Sequence, residues 1–133
     1  MASYTEVIKL STKPNETHVI TNQIKTIITN SNIKSGICMI FNSGSTGAIL
    51  INENDPMIFQ DIKDSLEIVA PESKIYHHPE NGQSYIKSAL MGTAKTIPVE
   101  DSIPIIGERR DIFFFEFDVK EREREIIVTV VGD

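Results

Sequence analysis

The chain has 133 residues, of which 40% are hydrophobic and 24% charged, and this balance is typical of one globular domain rather than a disordered chain. The formal net charge of −6 argues against a general nucleic-acid binder, which needs a basic face. The single cysteine, Cys38, cannot form an internal disulfide, and no apolar run reaches the roughly 20 residues that span a bilayer. We therefore expect one cytoplasmic domain over residues 1–133, with no nucleic-acid or membrane partner.

The N-terminal third predicts a strand followed by a helix. Apolar and polar side chains alternate over Tyr4–Ser11, which is typical of a strand. A helix is predicted over Thr17–Asn30, with Asn15 or Thr17 as its N-cap. Its apolar stripe consists of Ile20, Ile24, Ile27 and Ile28.

Two strands and a capped helix follow. The strands are predicted over Ile37–Phe41 and Gly47–Glu53, with a turn-rich break between them. Asp55 followed by Pro56 is typical of a helix start, and this helix should run to about Val69.

The remaining pattern is a polar loop, a short helix and three strands. The predicted elements are the loop Pro71–Gln83, the helix Ser84–Met91 and the strands Thr93–Val99, Ile112–Phe117 and Ile126–Val131. Ile112–Phe117 is apolar on both faces, so it should be a central strand or lie at a subunit contact. Arg122 and Arg124, inside the acidic run Lys120–Glu125, indicate a solvated turn or an intersubunit ion-pair network. Strands mixed with two main helices indicate an α+β fold.

The first candidate for chemistry is the loop Ser43–Gly47, with two glycines and three hydroxyls between two strands. Such a loop can direct backbone N–H groups at an anion. It lacks the lysine and the strand-to-helix context of a P-loop. A simple hairpin turn is the commoner outcome for this pattern, and both readings stay open.

Three further groups carry ionisable side chains. Glu53 shares the inward face of its strand with Ile49 and Ile51, where a carboxylate can act as a general base or ligand, and Asp61 follows on the next helix. His77 and His78 are adjacent, so at most one can enter a given pocket from an extended chain. The residues give too few ligands to assign a metal.

The last group is the segment 107–111, in which two arginines follow a glycine turn. Arg109 and Arg110 can bind phosphate or carboxylate. They can equally form surface pairs with Glu108 and Asp111, which is the commoner case.

Short motifs lie in a fixed order along nearly the whole chain. They are Gly-Ser-Thr-Gly-Ala at 44–48, Asn52-Glu53, Asp61, Tyr76 and His78, Asn81-Gly82, Lys87, Gly92, Pro98, Gly107 and Glu116-Phe117-Asp118. In order and spacing they resemble the YjbQ-like family, also called the secondary thiamine-phosphate synthase family, from about Tyr4 to Gly132.

The resemblance implies a compact α+β fold, a β-sandwich of about seven strands with two main helices. It also implies a homotrimer built by packing sheets around a threefold axis, and weak thiamine-phosphate synthase activity. The expected catalytic residues are Glu53, His78 and Asp61, and the expected substrate-binding residues are Ser45, Thr46, Asn81, Arg109 and Arg110. Metal and cofactor stay unassigned.

The chain departs from the family pattern at three places. Gly44 stands where many members have a histidine, Gln83 and Tyr85 stand in a segment that usually carries histidine, and Glu108, Arg109 and Arg110 replace Thr-Trp-Gln. Fewer imidazoles mean fewer proton carriers, and arginines favour an anion over a flat heteroaromatic ring. The alternatives to an enzyme are therefore a trimer that binds an anion or phosphorylated metabolite without catalysis, and a purely structural trimer.

Overall fold

The computed structural model describes residues 1–133 as eight strands and three helices. The strands are β1 (Ala2–Thr12), β2 (Thr17–Val19), β3 (Gly36–Asn42), β4 (Gly47–Glu53), β5 (Ala94–Glu100), β6 (Ile103–Pro104), β7 (Arg110–Glu116) and β8 (Arg122–Gly132). The helices are α1 (Thr21–Ser31), α2 (Pro56–Val69) and α3 (Gly82–Met91). The α+β class is confirmed. None of the three helices combines the length and apolar composition needed to cross a bilayer.

The strands form two antiparallel sheets. The larger sheet has the order β1-β8-β3-β5-β6, and the smaller has the order β2-β7-β4. The apolar β7 is the central strand of the smaller sheet, as its two-sided pattern predicts.

The inner faces of the two sheets share one core with α1. The four stripe isoleucines predicted for the first helix are all buried. They pack in a single cluster with inward residues of both sheets, among them Ile40, Phe114 and Val128. Burial of this kind contributes about 25 cal/mol per Å² of apolar surface, which holds a helix rich in β-branched residues.

The first helix begins later than predicted, and neither Asn15 nor Thr17 caps it. Residues 17–19 form β2, paired with β7 so that Thr17 lies opposite Phe115. The N-cap residue is Ile20, which makes no side-chain capping bond. β-Branched residues beside an unpaired strand edge gain more from cross-strand pairing than from helix formation.

The hairpin reading of Ser43–Gly47 is wrong, because β3 and β4 lie in different sheets. The segment is a crossover from the larger sheet to the smaller one. Asn42 holds it from inside: its side-chain amide donates to the carbonyls of Gly44 and Gly47, and its Oδ1 accepts from the Gly44 N–H.

Arg122 and Arg124 do not lie in a solvated turn, because both belong to a strand. Strand β8 begins at Arg122 and pairs along its length with β1. Because strand side chains alternate, Arg124 points inward and is buried. In the sequence this alternation is hard to see, because charged residues stand on both sides of Arg124.

Helix α2 begins as its sequence predicts. Asp55 accepts a hydrogen bond from the Met57 N–H at 2.8 Å, and Pro56 is the first helical residue. Phe59, Ile62 and Leu66 pack on the second apolar cluster, which is centred on Phe113 and Phe115. The helix thereby covers the outer face of the smaller sheet.

Candidate functional site

Five of the eight predicted site residues fall into two groups at opposite ends of β4. Thr46 immediately precedes the strand, and Glu53 ends it. At about 3.3 Å per residue, the two ends lie roughly 20 Å apart. In the single chain, Glu53 and the twin arginines therefore do not share a cavity with Thr46.

The Thr46 end contains a buried carboxylate, Asp118, that organises its neighbours. Thr46 Oγ1 donates to Asp118 Oδ2 at 2.9 Å, and Asn81 Nδ2 donates to Oδ1 at 3.2 Å. Arg122 Nε donates to Oδ2 at 2.7 Å, and the Val119 N–H donates to Oδ1 at 2.7 Å. Two of the predicted substrate-binding residues, Thr46 and Asn81, thus meet on one carboxylate.

The protonation of Asp118 is set by two opposing effects. Burial raises the pKa of the carboxyl group, but the hydrogen bonds from Thr46, the Val119 N–H, Asn81 and Arg122 together outweigh it. The net pKa is lower than that of an ordinary aspartate, so the group is a carboxylate at neutral pH.

A second buried carboxylate, Glu116, pairs with Arg124. Arg124 Nε donates to Glu116 Oε1 at 2.8 Å, and Nη2 donates to Oε2. Nη2 also donates to Thr46 Oγ1 at 2.8 Å, which links this pair to Asp118. Thr12 Oγ1 donates to Glu116 at 2.5 Å, and Glu116 Oε2 accepts from the Asp118 N–H. We call the buried residues among these, Thr12, Thr46, Asn81, Glu116, Asp118 and Arg124, the buried network. Arg122, whose side chain is 43% exposed, borders it.

Arg124 is the one member of the buried network that lines a cavity of about 450 Å³. Its lining residues are Lys9, Asn42, Ser43, Gly44, Glu123, Arg124 and Glu125, and none of them is hydrophobic. The third guanidinium nitrogen of Arg124, Nη1, makes no hydrogen bond to the protein, whereas Nε and Nη2 are both engaged. We call this space the Arg124 cavity.

The Arg124 guanidinium, as placed, leaves no room for a side chain at residue 44. A Cβ atom at residue 44 would lie 2.4 Å from Arg124 Nη1, well inside contact distance. The backbone of Gly44 is not left-handed, so the constraint is the neighbouring side chain rather than the φ angle. The glycine at the position where the family resemblance expects histidine thus leaves room for an arginine.

The other group, at the far end of β4, is exposed. Glu53 lies opposite Arg110 in the β4–β7 register, and Arg109 Nη2 is 3.7 Å from Glu53 Oε1. The Arg109 side chain is 84% exposed and that of Glu53 is 45% exposed. These residues form a solvated cluster, in which Arg109 pairs with Glu53 instead of the expected partners Glu108 and Asp111.

The remaining predicted residues are at the surface and lie in neither group. The His78 ring is 5.2 Å from that of Tyr85, edge to face, and both side chains are exposed. Ser45 and Asp61 are also exposed. No three histidine, cysteine or carboxylate side chains converge in an arrangement that fits a metal ion.

Sequence reasoning missed Arg124, Asn42 and Lys9 as parts of a site. The sequence did contain an indication of this: Arg124 continues the two-residue period of Ile126, Val128 and Val130. That period places the arginine on the buried face of β8. Glu116 carried a similar signal, because it continues the apolar run of β7.

Comparison with known proteins places this chain in a family. The model of the YjbQ-like UPF0047 proteins matches residues 6–133. The chain belongs to the YjbQ-like UPF0047 family. The resemblance seen in the short motifs is therefore confirmed.

Relatives and solved structures agree with this assignment. A UPF0047 protein of Methanocaldococcus jannaschii is 40% identical over 116 residues, covering 86% of this chain and 83% of the relative. A YjbQ-like protein of unknown function from Sulfolobus solfataricus superposes with a TM-score of 0.94 at 30% identity, covering 99% of both chains. A Clostridium acetobutylicum member superposes with a TM-score of 0.89 at 32% identity, covering 95% of this chain and 99% of that one. Their names give the family and no activity.

Proposed function

We propose that this YjbQ-like protein binds a small phosphorylated metabolite in the Arg124 cavity. The observation that carries the proposal is a buried arginine that lines a polar cavity and whose Nη1 makes no hydrogen bond within the protein. Guanidinium groups form strong charge-assisted bonds with phosphate and carboxylate oxygens. Lys9 supplies a second positive charge in the same lining.

The buried network fixes the direction of that nitrogen. Glu116 holds Nε and Nη2 in a two-pronged pair, and Thr46 accepts a further bond from Nη2. A side chain held in this way loses little further conformational entropy on binding, which favours affinity.

The cavity lining also restricts the rest of the ligand. Glu123 and Glu125 accept hydrogen bonds but repel additional negative charge. With no hydrophobic lining residue, the cavity offers no apolar wall for a heteroaromatic ring. Positive charge from Arg124 and Lys9, beside two glutamates and no apolar wall, favours a ligand with one anionic group. The rest of that ligand should carry hydroxyl or amino groups, as in a sugar phosphate.

The test is a calorimetric titration with ribose 5-phosphate, inorganic phosphate and unphosphorylated ribose. We expect ribose 5-phosphate to bind, ribose to bind far more weakly, and Lys9→Ala to reduce the affinity for the phosphate ester. Arg109→Ala is the matched control, because it removes an exposed cation at the other end of β4. No binding by the wild-type protein, or loss of binding in Arg109→Ala but not in Lys9→Ala, would overturn the proposal.

A second candidate is the transferase reaction implied by the family resemblance, in which a pyrimidine diphosphate joins a thiazole phosphate with release of diphosphate. The carboxylate of Glu53 beside Arg109 and Arg110 favours it, since such a cluster offers both a base and phosphate-binding groups. Purified protein and complementation of a thiamine auxotroph test it. Absence of turnover, with Glu53→Gln and His78→Ala behaving as wild type, would exclude it.

The resemblance further implies a homotrimer, and we retain that assembly as part of the proposal. Light scattering of the purified chain tests it, since a monomer at all accessible concentrations would exclude it.

A further inference from the structure

A second cleft lies between helices α2 and α3, and it shares no lining residue with the Arg124 cavity. It consists of two adjoining cavities of about 330 and 140 Å³. Five residues line both cavities: Asn15, Glu67, Glu72, Lys87 and Phe117. Lys63 lines only the larger cavity, and Gln83 lines only the smaller one. We call this space the Lys63 cleft.

Lys63 is a cation without a carboxylate partner. Glu67 lies one helical turn further along α2, at the spacing where a lysine and a glutamate ordinarily pair. Instead one oxygen of Glu67 accepts from Lys87 Nζ at 2.8 Å, and the other accepts from the Glu72 N–H at 2.7 Å. The Lys63 ammonium donates only to the Asn15 carbonyl, at 2.8 Å, so two of its three protons have no partner in the protein.

The surroundings of Lys63 make this unpaired charge costly. The side chain is half-buried, and the Phe115 ring lies 5.9 Å from its Nζ, so part of the ammonium faces an aromatic ring instead of water. Loss of hydration lowers the pKa of Lys63 below that of an ordinary lysine. Because an anion would replace the lost hydration, a cation in this position favours the binding of a carboxylate or another anionic group.

The other end of the cleft offers acceptors for positive charge. Gln83 is buried, and its Nε2 donates to Ser84 Oγ at 3.0 Å, whereas its Oε1 takes part in no hydrogen bond within the protein. Glu72 is exposed and forms no ion pair. An amide carbonyl and a carboxylate both accept hydrogen bonds from an ammonium group. The cleft therefore has an unpaired cation at one end and unpaired acceptors at the other.

We propose that the Lys63 cleft binds a small zwitterion, with the ligand carboxylate on Lys63 and the ligand ammonium group on Glu72 and Gln83. Lys63 lies about one helical turn, roughly 6 Å, from Glu67, and the Glu72 backbone is bonded to the far side of that turn. This spacing favours an ω-amino acid over an α-amino acid, whose two charged groups share one carbon atom. The site is independent of the phosphate site proposed around Arg124.

Titration calorimetry with 4-aminobutyrate tests the site, and butyrate and butylamine serve as ligands that keep only one of the two charges. We expect 4-aminobutyrate to bind, and each singly charged analogue to bind on the order of tenfold more weakly. Lys63→Gln should weaken the binding of 4-aminobutyrate and of butyrate, whereas Glu72→Gln should weaken that of 4-aminobutyrate and of butylamine. Lys25→Gln is the matched control, because it removes an exposed lysine of α1.

A purely structural role for Lys63 gives a different result. Because its charge is unpaired, Lys63→Gln should keep the wild-type melting temperature while it loses affinity, and Lys63→Arg should bind 4-aminobutyrate as the wild type does. Glu72→Gln changes an exposed side chain, so it tests the site even where a variant at Lys63 unfolds.

Three results would overturn the zwitterion site. They are a wild-type protein that does not bind 4-aminobutyrate, equal affinities for 4-aminobutyrate and butyrate, and wild-type affinity in both Lys63→Gln and Glu72→Gln. Lys9→Ala, which weakens the proposed phosphate site, should leave 4-aminobutyrate binding unchanged. Ribose 5-phosphate binding in Lys63→Gln should likewise stay at the wild-type level, so each site can fail without the other.

Discussion

Two carboxylate–arginine pairs, Glu116–Arg124 and Glu53–Arg109, lie at opposite ends of β4 and differ in almost every physical respect. The Glu116–Arg124 pair is buried, with side-chain exposures of 0% and 8%. The Glu53–Arg109 pair spans 3.7 Å and has side-chain exposures of 45% and 84%. The same chemical groups therefore form part of the protein interior in one place and a solvated contact in the other.

The difference shows how burial changes the role of a charge. A buried pair lies in a medium of low polarity, so each partner needs the other, and further hydrogen bonds to the pair lower the cost of its burial. Thr12, Thr46 and the Asp118 N–H supply those bonds. An exposed pair exchanges freely with water and fixes little.

The largest effect is expected for Glu116→Gln. The substitution leaves the buried Arg124 cation without its counter-ion, and we expect a loss of about 3–5 kcal/mol in the free energy of unfolding. Urea denaturation measures this loss. In Glu53→Gln, the same change at the exposed end, the shift should stay within about 0.5 kcal/mol. Equal losses in the two variants would contradict the comparison.

Asp118→Asn should be destabilising by about 2–3 kcal/mol near neutral pH, because the hydrogen bonds to a charged carboxylate are lost. The folded-state pKa of Asp118 is lowered, so its stabilising effect is fully present above the unfolded value of about 4. That effect is lost as the pH falls through the folded-state pKa. The difference in the free energy of unfolding between wild type and Asp118→Asn should therefore become smaller in acid. Denaturation at several pH values measures it. A constant difference would show that the charge of Asp118 is not involved.

Gly44→Ala should have an intermediate effect of about 1–2 kcal/mol, since the new methyl group forces the Arg124 guanidinium to move. We expect ribose 5-phosphate binding to fall more sharply than stability. Ser45→Ala, one residue away and exposed, is the control. Titration calorimetry and thermal melting separate the two quantities, and unchanged binding in Gly44→Ala would argue against Arg124 as the ligand contact.

The smallest effect is expected for Arg109→Ala. Its only ion pair is exposed, and such pairs contribute roughly 0–1 kcal/mol. Urea denaturation at low and high salt measures it, and the loss should be below about 0.5 kcal/mol and vanish with salt. A loss above about 2 kcal/mol in the free energy of unfolding would mean that the exposed pair stabilises the fold nearly as much as the buried pair does.

Much of the secondary structure was predictable because local rules decide it. The isoleucine stripe of α1, the Asp55-Pro56 start of α2 and the limits of β4 all follow from side-chain period and capping. Of the candidate site, Thr46 and Asn81 were predicted and do come together. Arg124 was not, because two glutamates flank it and conceal its inward position.

The sequence by itself determined the family, the α+β class and the order of most elements, since periodicity, caps and motif spacing are properties of neighbouring residues. Only the tertiary structure decided that β3 and β4 join different sheets, and that Arg124 meets Glu116 beside Gly44. Those facts depend on pairings between distant strands, and the free energy of such pairings comes from burial and hydrogen bonding that no local stretch of sequence contains.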